Sequence, residues 1–184
     1  ILAVAAAVTP LIGAQPITPG EFLAALIHPG SDVVSHIVWG SRLPRLALAA
    51  IAGSGLAVSG VTLQSVLKNP LASPFTLGVA SGGSLGVAIA VVMGADFTFL
   101  GMGAVQAAGI LGAVVMTAAI FGIARALGFS SMSLVLAGVT LNLTASSGIL
   151  LVQTLSDISQ THLVVHWLMG GLDRWGATGI PFVA

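Results

Sequence analysis

Cysteine is absent from the sequence, and charged residues are scarce, at 5% of 184 residues. Without cysteine there is no disulfide, no thiolate metal ligand and no cysteine nucleophile. A soluble domain carries about 25% charged residues, so this chain has too few of them to cover a surface in contact with water. Its five basic and five acidic residues balance, which gives no electrostatic reason to expect nucleic acid. The composition excludes a soluble enzyme or a nucleic-acid binder and predicts an integral membrane protein.

Long uncharged runs separate the few charges. The four longest contain 22, 27, 28 and 31 residues and occupy 46–67, 69–95, 97–124 and 126–156. About 20 apolar residues cross a bilayer as a helix, so each run is long enough for one crossing and too short for two. We therefore predict an all-α polytopic bundle, with residues 1–184 forming a single transmembrane domain. The helices are expected near 1–13, 46–67, 75–94, 99–124 and 133–154, with a further start near 176–184.

The segments between these helices alternate between two sides of the membrane. One side holds 14–45, the turn near Asp96 and 156–175, and the other holds 68–74 and 125–132. The first side contains three Lys or Arg residues and the second contains two. This difference is too small to set the orientation by the positive-inside rule.

Two local patterns predict structure in more detail. Thr18 is suited to cap a short helix that carries Glu21 in its first turn. Gly78, Gly82 and Gly86 repeat every four residues, a spacing that places them on one helix face and lets another backbone approach closely.

Two arginines lie just before the N-terminal end of the helix expected at 46–67. Arg42 and Arg45 are three residues apart, and each guanidinium is a rigid fork that suits a carboxylate. Docking of an acidic partner is one interpretation, and anchoring at the membrane interface by snorkelling is the other. The spacing alone does not separate these two interpretations.

No charge lies inside the four expected spans, so the energy for any transport would have to come from outside them.

Two polar features fit a transport pathway. Residues 69–74 (NPLASP) form a proline-braced turn that is either a plain connector or a gate, in which irregular backbone lines a pathway. The helix expected at 133–154 carries Thr140, Thr144 and Ser147 at helical spacing, with Asn142 a little further round the helix. These side chains suit a pathway wall or ordinary hydrogen bonding between helices.

Two other patterns suggest rival activities. His162 and His166 share a helix face and could hold a metal, but no third ligand is evident beyond Asp157, so we predict no metal site and no cofactor bound by this chain. Ser81, flanked by glycines, would suit an intramembrane serine hydrolase if a histidine base lay within reach. The histidines lie in the water-side segments. This hydrolase and a structural membrane module without a pathway are the alternatives to transport.

The chain also carries a series of short motifs in order. They are RLPR at 42–45, GLAVSG at 55–60, Gln64, NPLASP at 69–74, LGVASGG at 77–83, LAGV at 136–139 and WLMGGL at 167–172. This series covers nearly the whole chain and resembles the permease signature of FecCD-type (BtuC-like) ABC importers, which import ferric siderophores, haem or cobalamin.

The resemblance implies a transport subunit rather than an enzyme, located in the bacterial inner membrane. Its fold would be the type II ABC importer permease, with ten helices per subunit, and this chain would be the first half, with five to six of them. Residues 14–45 would face the periplasm, and 68–74 and 125–132 the cytoplasm. The segment that couples to the ATPase lies in the family's second half, so this piece alone is not expected to couple.

The resemblance also implies a set of partners. They are ATP-binding cassette ATPase subunits that bind ATP and Mg²⁺, a periplasmic or lipid-anchored substrate-binding protein, a second permease subunit (identical, different or fused) and membrane lipid.

Functional residues follow from the same resemblance. Arg42 and Arg45 would dock carboxylates of the binding protein. Asn69 and Leu71 would contribute to the cytoplasmic gate, together with two positions whose motif match is looser, Ser130 and Ser131. The pathway would be lined by Thr140, Asn142, Thr144 and Ser147.

Overall fold

The computed structural model describes residues 2–13, 15–30, 32–70, 72–99 and 101–171. The chain forms two units, one ending at Gly55 and the other comprising Leu56–Gly170. The helices are α1 (Leu2–Val8), α2 (Pro19–Ile27), α3 (Val33–Ile37), α4 (Leu43–Leu67), α5 (Val79–Val92), α6 (Ala104–Ala126), α7 (Ser131–Thr154) and α8 (Ile158–Leu168). The predicted all-α class is confirmed. The helix expected near 176–184 lies outside the described residues.

In the first unit, α1 runs into a single 3₁₀ turn at Thr9–Leu11, and α2 begins after a capping box. The backbone N–H of Thr18 donates to Glu21 Oε2 at 2.8 Å, and the N–H of Glu21 donates to Thr18 Oγ1 at 3.4 Å. Each residue thereby satisfies a backbone donor that the helix end leaves unpaired. The predicted cap at Thr18 is confirmed.

The helix expected at 46–67 is longer than predicted. A wide π turn at Val38–Arg42 joins α3 to α4, and the N–H of Leu43 donates to the carbonyl of Val38. The helical stretch Val33–Leu67 is therefore 35 residues long. Pro44, which has no N–H to donate, follows directly after the π turn, in which the N–H of Leu43 already reaches back five residues instead of four.

The helix expected at 75–94 is shorter than predicted. Ser73 and Thr76 close a turn in which the N–H of Thr76 donates to Ser73 Oγ at 3.1 Å. Gly78 follows as the N-cap with φ at +83°, a conformation that glycine adopts without steric cost. The regular helix begins only at Val79 and has 14 residues, fewer than the about 20 that span a bilayer.

The stretch before α6 also differs from the prediction, which started a helix at 99. Strand β1 (Thr98–Phe99) pairs antiparallel with β2 (Met102–Gly103), and Thr98 lies opposite Gly103. The short hairpin delays α6 to Ala104.

Three helical stretches in the described part of the chain are long and apolar enough to cross a membrane. They are Val33–Leu67, Ala104–Ala126 and Ser131–Thr154.

In the second unit, α5 packs against α6, α7 and α8. The buried core there is aliphatic and comprises Leu67, Ala72, Leu77, Met116, Ile120, Ala124, Leu134, Ala137 and Ala145. The three glycines predicted to share one face do not do so. Gly82 and Gly86 approach α6, whereas Gly78 lies against Asn142 of α7. The reason is that Gly78 precedes the helix, and its positive φ takes it out of the helical repeat.

Candidate functional site

Arg42 and Arg45 lie in one groove of the first unit. Arg42 is the last residue of the π turn, and Arg45 lies in the first turn of α4. The groove has a volume of about 500 Å³, and both side chains line it. Its other lining residues come from the 3₁₀ turn after α1, the following loop, the end of α3, the π turn and the start of α4: Thr9, Pro10, Ile12, Gly13, Gln15, Ile37, Ser41, Leu46 and Ala49. The structure thus brings the two predicted docking residues together.

The two arginines differ in their surroundings. Arg42 is half-buried and Arg45 is exposed. Nη1 of Arg42 donates to the carbonyl of Pro10, and Nη2 donates to the carbonyl of Gln15. The sequence could not predict these contacts. The acceptors are backbone carbonyls, which every residue carries, so no particular side chain marks the partners of Arg42.

The rest of the first unit is tied together by side-chain bonds to backbone. Trp39 Nε1 donates to the carbonyl of Ala25 in α2 at 2.9 Å. Ser35, which is buried, accepts from the N–H of Gly30 at 2.7 Å. The π turn is therefore anchored to α2 by Trp39, and α3 is anchored by Ser35 to the turn that follows α2.

Glu21 is the acidic residue of the capping box at the start of α2. The Thr18 backbone N–H, and to a smaller extent the Thr18 hydroxyl, hydrogen-bond its carboxylate and lower the pKa of Glu21 below its usual value near 4.5. These bonds favour the charged form because a carboxylate accepts them and a protonated acid accepts them less well.

The first predicted gate segment follows α4. Lys68 has φ at +49°, and the N–H of Asn69 donates to the carbonyl of Gln64 at 3.2 Å. This bond reaches back five residues and closes the helix end. Asn69 is half-buried. Leu71 lies outside the described residues.

Ser130 and Ser131 stand at the start of α7. Ser130 is its N-cap: the N–H of Ser133 donates to Ser130 Oγ at 3.0 Å, and the N–H of Ser130 donates to Ser133 Oγ at 2.7 Å. The Ser130 hydroxyl is therefore engaged in the helix start, while Ser131 is exposed in the first turn. Ser133 takes the place that glutamate or glutamine holds in the usual capping box, so the sequence reasoning did not recognise this one.

The polar face of α7 is present as predicted by spacing. Thr140, Thr144 and Ser147 are all exposed. Thr144 Oγ1 donates to the carbonyl of Thr140 at 2.9 Å, and Ser147 Oγ donates to the carbonyl of Leu143 at 2.9 Å. Because the hydroxyl protons of Thr144 and Ser147 bond within the helix, these two residues offer oxygen lone pairs outward. Asn142 stands apart from this face, half-buried next to Gly78.

Thr144 also lines a groove of about 740 Å³ between α5, α6 and α7. The remaining lining residues are apolar, among them Leu85, Ile89, Leu111 and Leu141. Sequence reasoning did not predict this groove, because it depends on how three helices pack.

The structure also describes the residues of the two rival activities, a metal site and a serine hydrolase. His162 and His166 are both exposed on α8, and among the described residues no three His, Cys, Asp or Glu side chains gather closely enough to hold a metal. Ser81 Oγ donates to the carbonyl of Gly78 at 2.8 Å, so its proton is held by the backbone of its own helix.

Apolar spans of membrane length and a helical second unit define the class as a polytopic α-helical membrane protein. The sequence profile of the FecCD transport family matches residues 1–184. The chain therefore belongs to the FecCD transport family of ABC transporter permeases.

Two relatives and one solved structure illustrate the likeness. The vitamin B12 import system permease protein BtuC of Vibrio vulnificus is 33% identical over 176 residues, which cover 94% of this chain and 49% of that protein. The iron(3+)-hydroxamate import system permease protein FhuB of Salmonella typhimurium is 38% identical over 124 residues, or 67% of this chain and 18% of that protein. A metal-chelate type ABC transporter in an inward-facing conformation superposes with a TM-score of 0.76 at 29% identity, covering 97% of this chain and 52% of its own.

The chain spans about half the length, or less, of the relatives that it matches. The relatives are permeases of the inner membrane, which are transport subunits rather than enzymes, and the same class and location apply to this chain. The serine hydrolase alternative is not favoured by this family membership.

Proposed function

We propose that this chain forms part of the translocation pathway of an ATP-driven, binding-protein-dependent importer of ferric siderophores, with haem and cobalamin as the other candidate cargoes. The observation that carries the proposal is the pair of arginines in one groove, in a chain that matches the FecCD family throughout. The printed names of relatives, for iron-hydroxamate and vitamin B12 import, support a bulky metal-chelate cargo.

The energy would come from partner ATPase subunits that bind ATP and Mg²⁺. Two states, open to the outside and to the inside, would exchange as those subunits bind and hydrolyse ATP, and cargo would move because each state exposes the pathway to one side. A second permease subunit, identical, different or fused, would complete the pathway within the lipid bilayer. No ionisable side chain within the apolar spans is needed, because the driving energy enters from the ATPase.

Docking would occur at the arginine groove. A periplasmic or lipid-anchored binding protein would present carboxylates, and a guanidinium forms short charge-assisted hydrogen bonds to a carboxylate. Both arginines are in the first unit, in the N-terminal half of the Val33–Leu67 stretch and just before its uncharged part begins at Leu46. Their net contribution would be to recruit the loaded binding protein and to set its register on the permease.

The pathway and the gate would lie in the second unit. The hydroxyl oxygens of Thr140, Thr144 and Ser147 form a polar strip along α7, which suits a hydrophilic cargo better than the apolar surfaces around it. Asn69 and Leu71, with Ser130 and Ser131 as further candidates, would close the cytoplasmic end.

The test uses the complete permease in lipid nanodiscs with its ATPase subunit. ATPase activity is measured alone and with binding proteins loaded with ferric hydroxamate, haem or cobalamin. Stimulation by one loaded binding protein, with uptake of the same cargo into proteoliposomes, is the expected result. Failure to assemble with any ATPase, or activity indifferent to every binding protein, would reject the proposal.

A further inference from the structure

Helix α2 carries an apolar side that the first unit leaves uncovered. Leu23 and Ile27 are four positions apart, so they lie on the same side of the helix, and they are 58% and 69% exposed. Gly20 and Ala24, which are exposed as well, complete this side. These four residues form the outer face of α2. It carries no charged or polar side chain, so covering it would remove apolar surface from water at no cost in lost polar hydration.

We propose that the outer face of α2 lies in the interfacial layer of the lipid bilayer, beside the Val33–Leu67 stretch. The molecules that cover it are phospholipids, which contribute the headgroup boundary and the adjoining ends of their acyl chains. An α2 at this depth requires only that the chain is a membrane protein, whatever its cargo and docking partner.

The inner side of α2 sets the direction in which the outer face points. Ala25 is buried in one cluster with Val38 of the π turn, and Val34 and Leu43 pack against the same cluster. Helix α2 therefore lies beside α3, the π turn and the start of α4, with its outer face directed away from them. This helical stretch continues into the uncharged run that begins at Leu46. The outer face thus points sideways, along the plane of the bilayer, rather than along the membrane normal.

The same contacts set the height of α2. Leu43, at the lower edge of the cluster, is three positions before Leu46, or about 4–5 Å along a helix. Trp39, whose Nε1 donates to the carbonyl of Ala25 at 2.9 Å, is seven positions before Leu46, or about 10 Å. The polar layer on each side of the hydrocarbon core is about 5–8 Å thick, and interfacial helices bury their apolar face about 5–10 Å into the headgroup boundary. Helix α2 is therefore held at headgroup level.

Trp39 suits the same layer. Its side chain remains 47% exposed although its Nε1–H is bonded to α2, so an apolar part of the ring is open to the surroundings while its polar group is satisfied. Tryptophan is enriched at membrane–water interfaces because such a ring fits the headgroup level. The helix and the tryptophan that holds it thus belong at one depth.

Lipid fits the outer face better than a protein that docks from water. A binding protein that associates and leaves would expose Leu23 and Ile27 to water between encounters, whereas lipid covers them continuously. The outer face also offers no charge by which such a partner could be steered. Glu21 is the acidic residue of α2; it lies on another side of the helix, two positions before Leu23, and is engaged in the capping box.

The test measures the depth of spin labels by electron paramagnetic resonance in the complete transporter, in phosphatidylcholine nanodiscs and a cysteine-free background. Labels are attached one at a time at Leu23→Cys and Ile27→Cys. The matched control is His36→Cys, at an exposed position of α3 that is ten positions before Leu46, or about 15 Å along a helix. Oxygen dissolves preferentially in lipid, and a neutral nickel chelate stays in water.

The labels at positions 23 and 27 are expected to be relaxed by oxygen and by nickel held on chelating lipid headgroups. Relative to the label at position 36, they are expected to lose most of the relaxation caused by the chelate in water. Nickel access equal to that at position 36 would place the outer face in water and overturn the proposal. Access that is lost only when a loaded binding protein is added would assign the face to that protein, and exclusion of both oxygen and nickel would assign it to another helix of the transporter.

Discussion

Gly82 and Gly112 bring the backbones of α5 and α6 into direct contact. A Cβ at position 112 would overlap the carbonyl oxygen of Gly82 and lie 3.1 Å from its carbonyl carbon. Since backbone atoms cannot swing aside as a side chain can, the two helices must separate to admit even a methyl group. Close approach of this kind is how helices associate inside a membrane, where apolar burial gives little preference between protein and lipid.

Gly112→Ala is therefore expected to destabilise the second unit by about 1–3 kcal/mol, the usual cost of overpacking. The matched control is Gly122→Ala in the same helix, where a Cβ meets nothing within 4 Å. The control is expected to stabilise by about 0.5–1 kcal/mol, because alanine favours a helix over glycine. Thermal unfolding in detergent measures both. Equal shifts in the same direction would show that the α5–α6 contact does not limit stability.

Gly78→Ala tests the start of α5 in a similar way. Gly78 and Gly128 both have positive φ, at +83° and +88°, but a Cβ at Gly78 would lie 2.9 Å from Asn142 Cβ, while one at Gly128 meets nothing within 4 Å. Gly128→Ala is expected to cost about 1–2 kcal/mol from backbone strain alone. Gly78→Ala is expected to cost about 1–3 kcal/mol more, from displacement of α7. Matching losses of unfolding temperature in the two variants would contradict the packing of Gly78 on Asn142.

The capping box at Glu21 is expected to depend on pH. The Thr18 backbone N–H lowers the pKa of Glu21 in the folded chain below the usual value near 4.5. A group whose pKa falls on folding contributes stability above its unfolded pKa and loses it as the pH drops through the folded pKa. The protection factors of the first amides of α2, which are corrected for the slower intrinsic exchange in acid, should therefore fall below about pH 4.5. In Glu21→Gln this pH dependence should vanish, and protection should be lower at neutral pH. Identical pH profiles in the two proteins would show that the Glu21 carboxylate does not contribute to the cap.

Charge reversal at the groove is expected to abolish import while leaving the protein in the membrane. In Arg42→Glu/Arg45→Glu, carboxylates of the binding protein would meet like charges, and association should slow by at least about tenfold at low salt. Arg125→Glu is the matched single reversal, at an exposed residue in the last turn of α6 that the proposed orientation puts on the cytoplasmic side. Surface plasmon resonance with captured nanodiscs measures association. An undiminished rate in the double variant, or an equal drop in Arg125→Glu, would exclude docking at the groove.

The sequence predicted the features that follow from local chemistry. Uncharged runs of membrane length located α6 and α7, and the Thr18–Glu21 pair located the start of α2, because each depends on residues close together in the chain. The start of α5 was missed because Pro74 and Gly78 fit a helix start equally well, and the hydrogen bonds of Ser73 and Thr76 decide between them.

Motif order proposed the members of the candidate site and left their geometry open. Motif order placed Arg42 and Arg45 together, but nothing in the spacing says that Arg42 bonds to Pro10 and Gln15, more than 25 positions upstream. Such contacts depend on how α1 returns to the π turn. The groove around Thr144 was missed for the same reason, since its walls come from three helices that are distant in sequence.

Helix α5 is shorter than the hydrocarbon core of a bilayer is thick. At 1.5 Å per residue, its 14 residues extend about 21 Å, roughly 9 Å less than the hydrocarbon thickness of a bilayer. A lipid-facing helix of that length would force the bilayer to thin around it. Because α5 packs against α6, α7 and α8, part of its surface meets protein instead of lipid, and less thinning is demanded of the bilayer around the subunit.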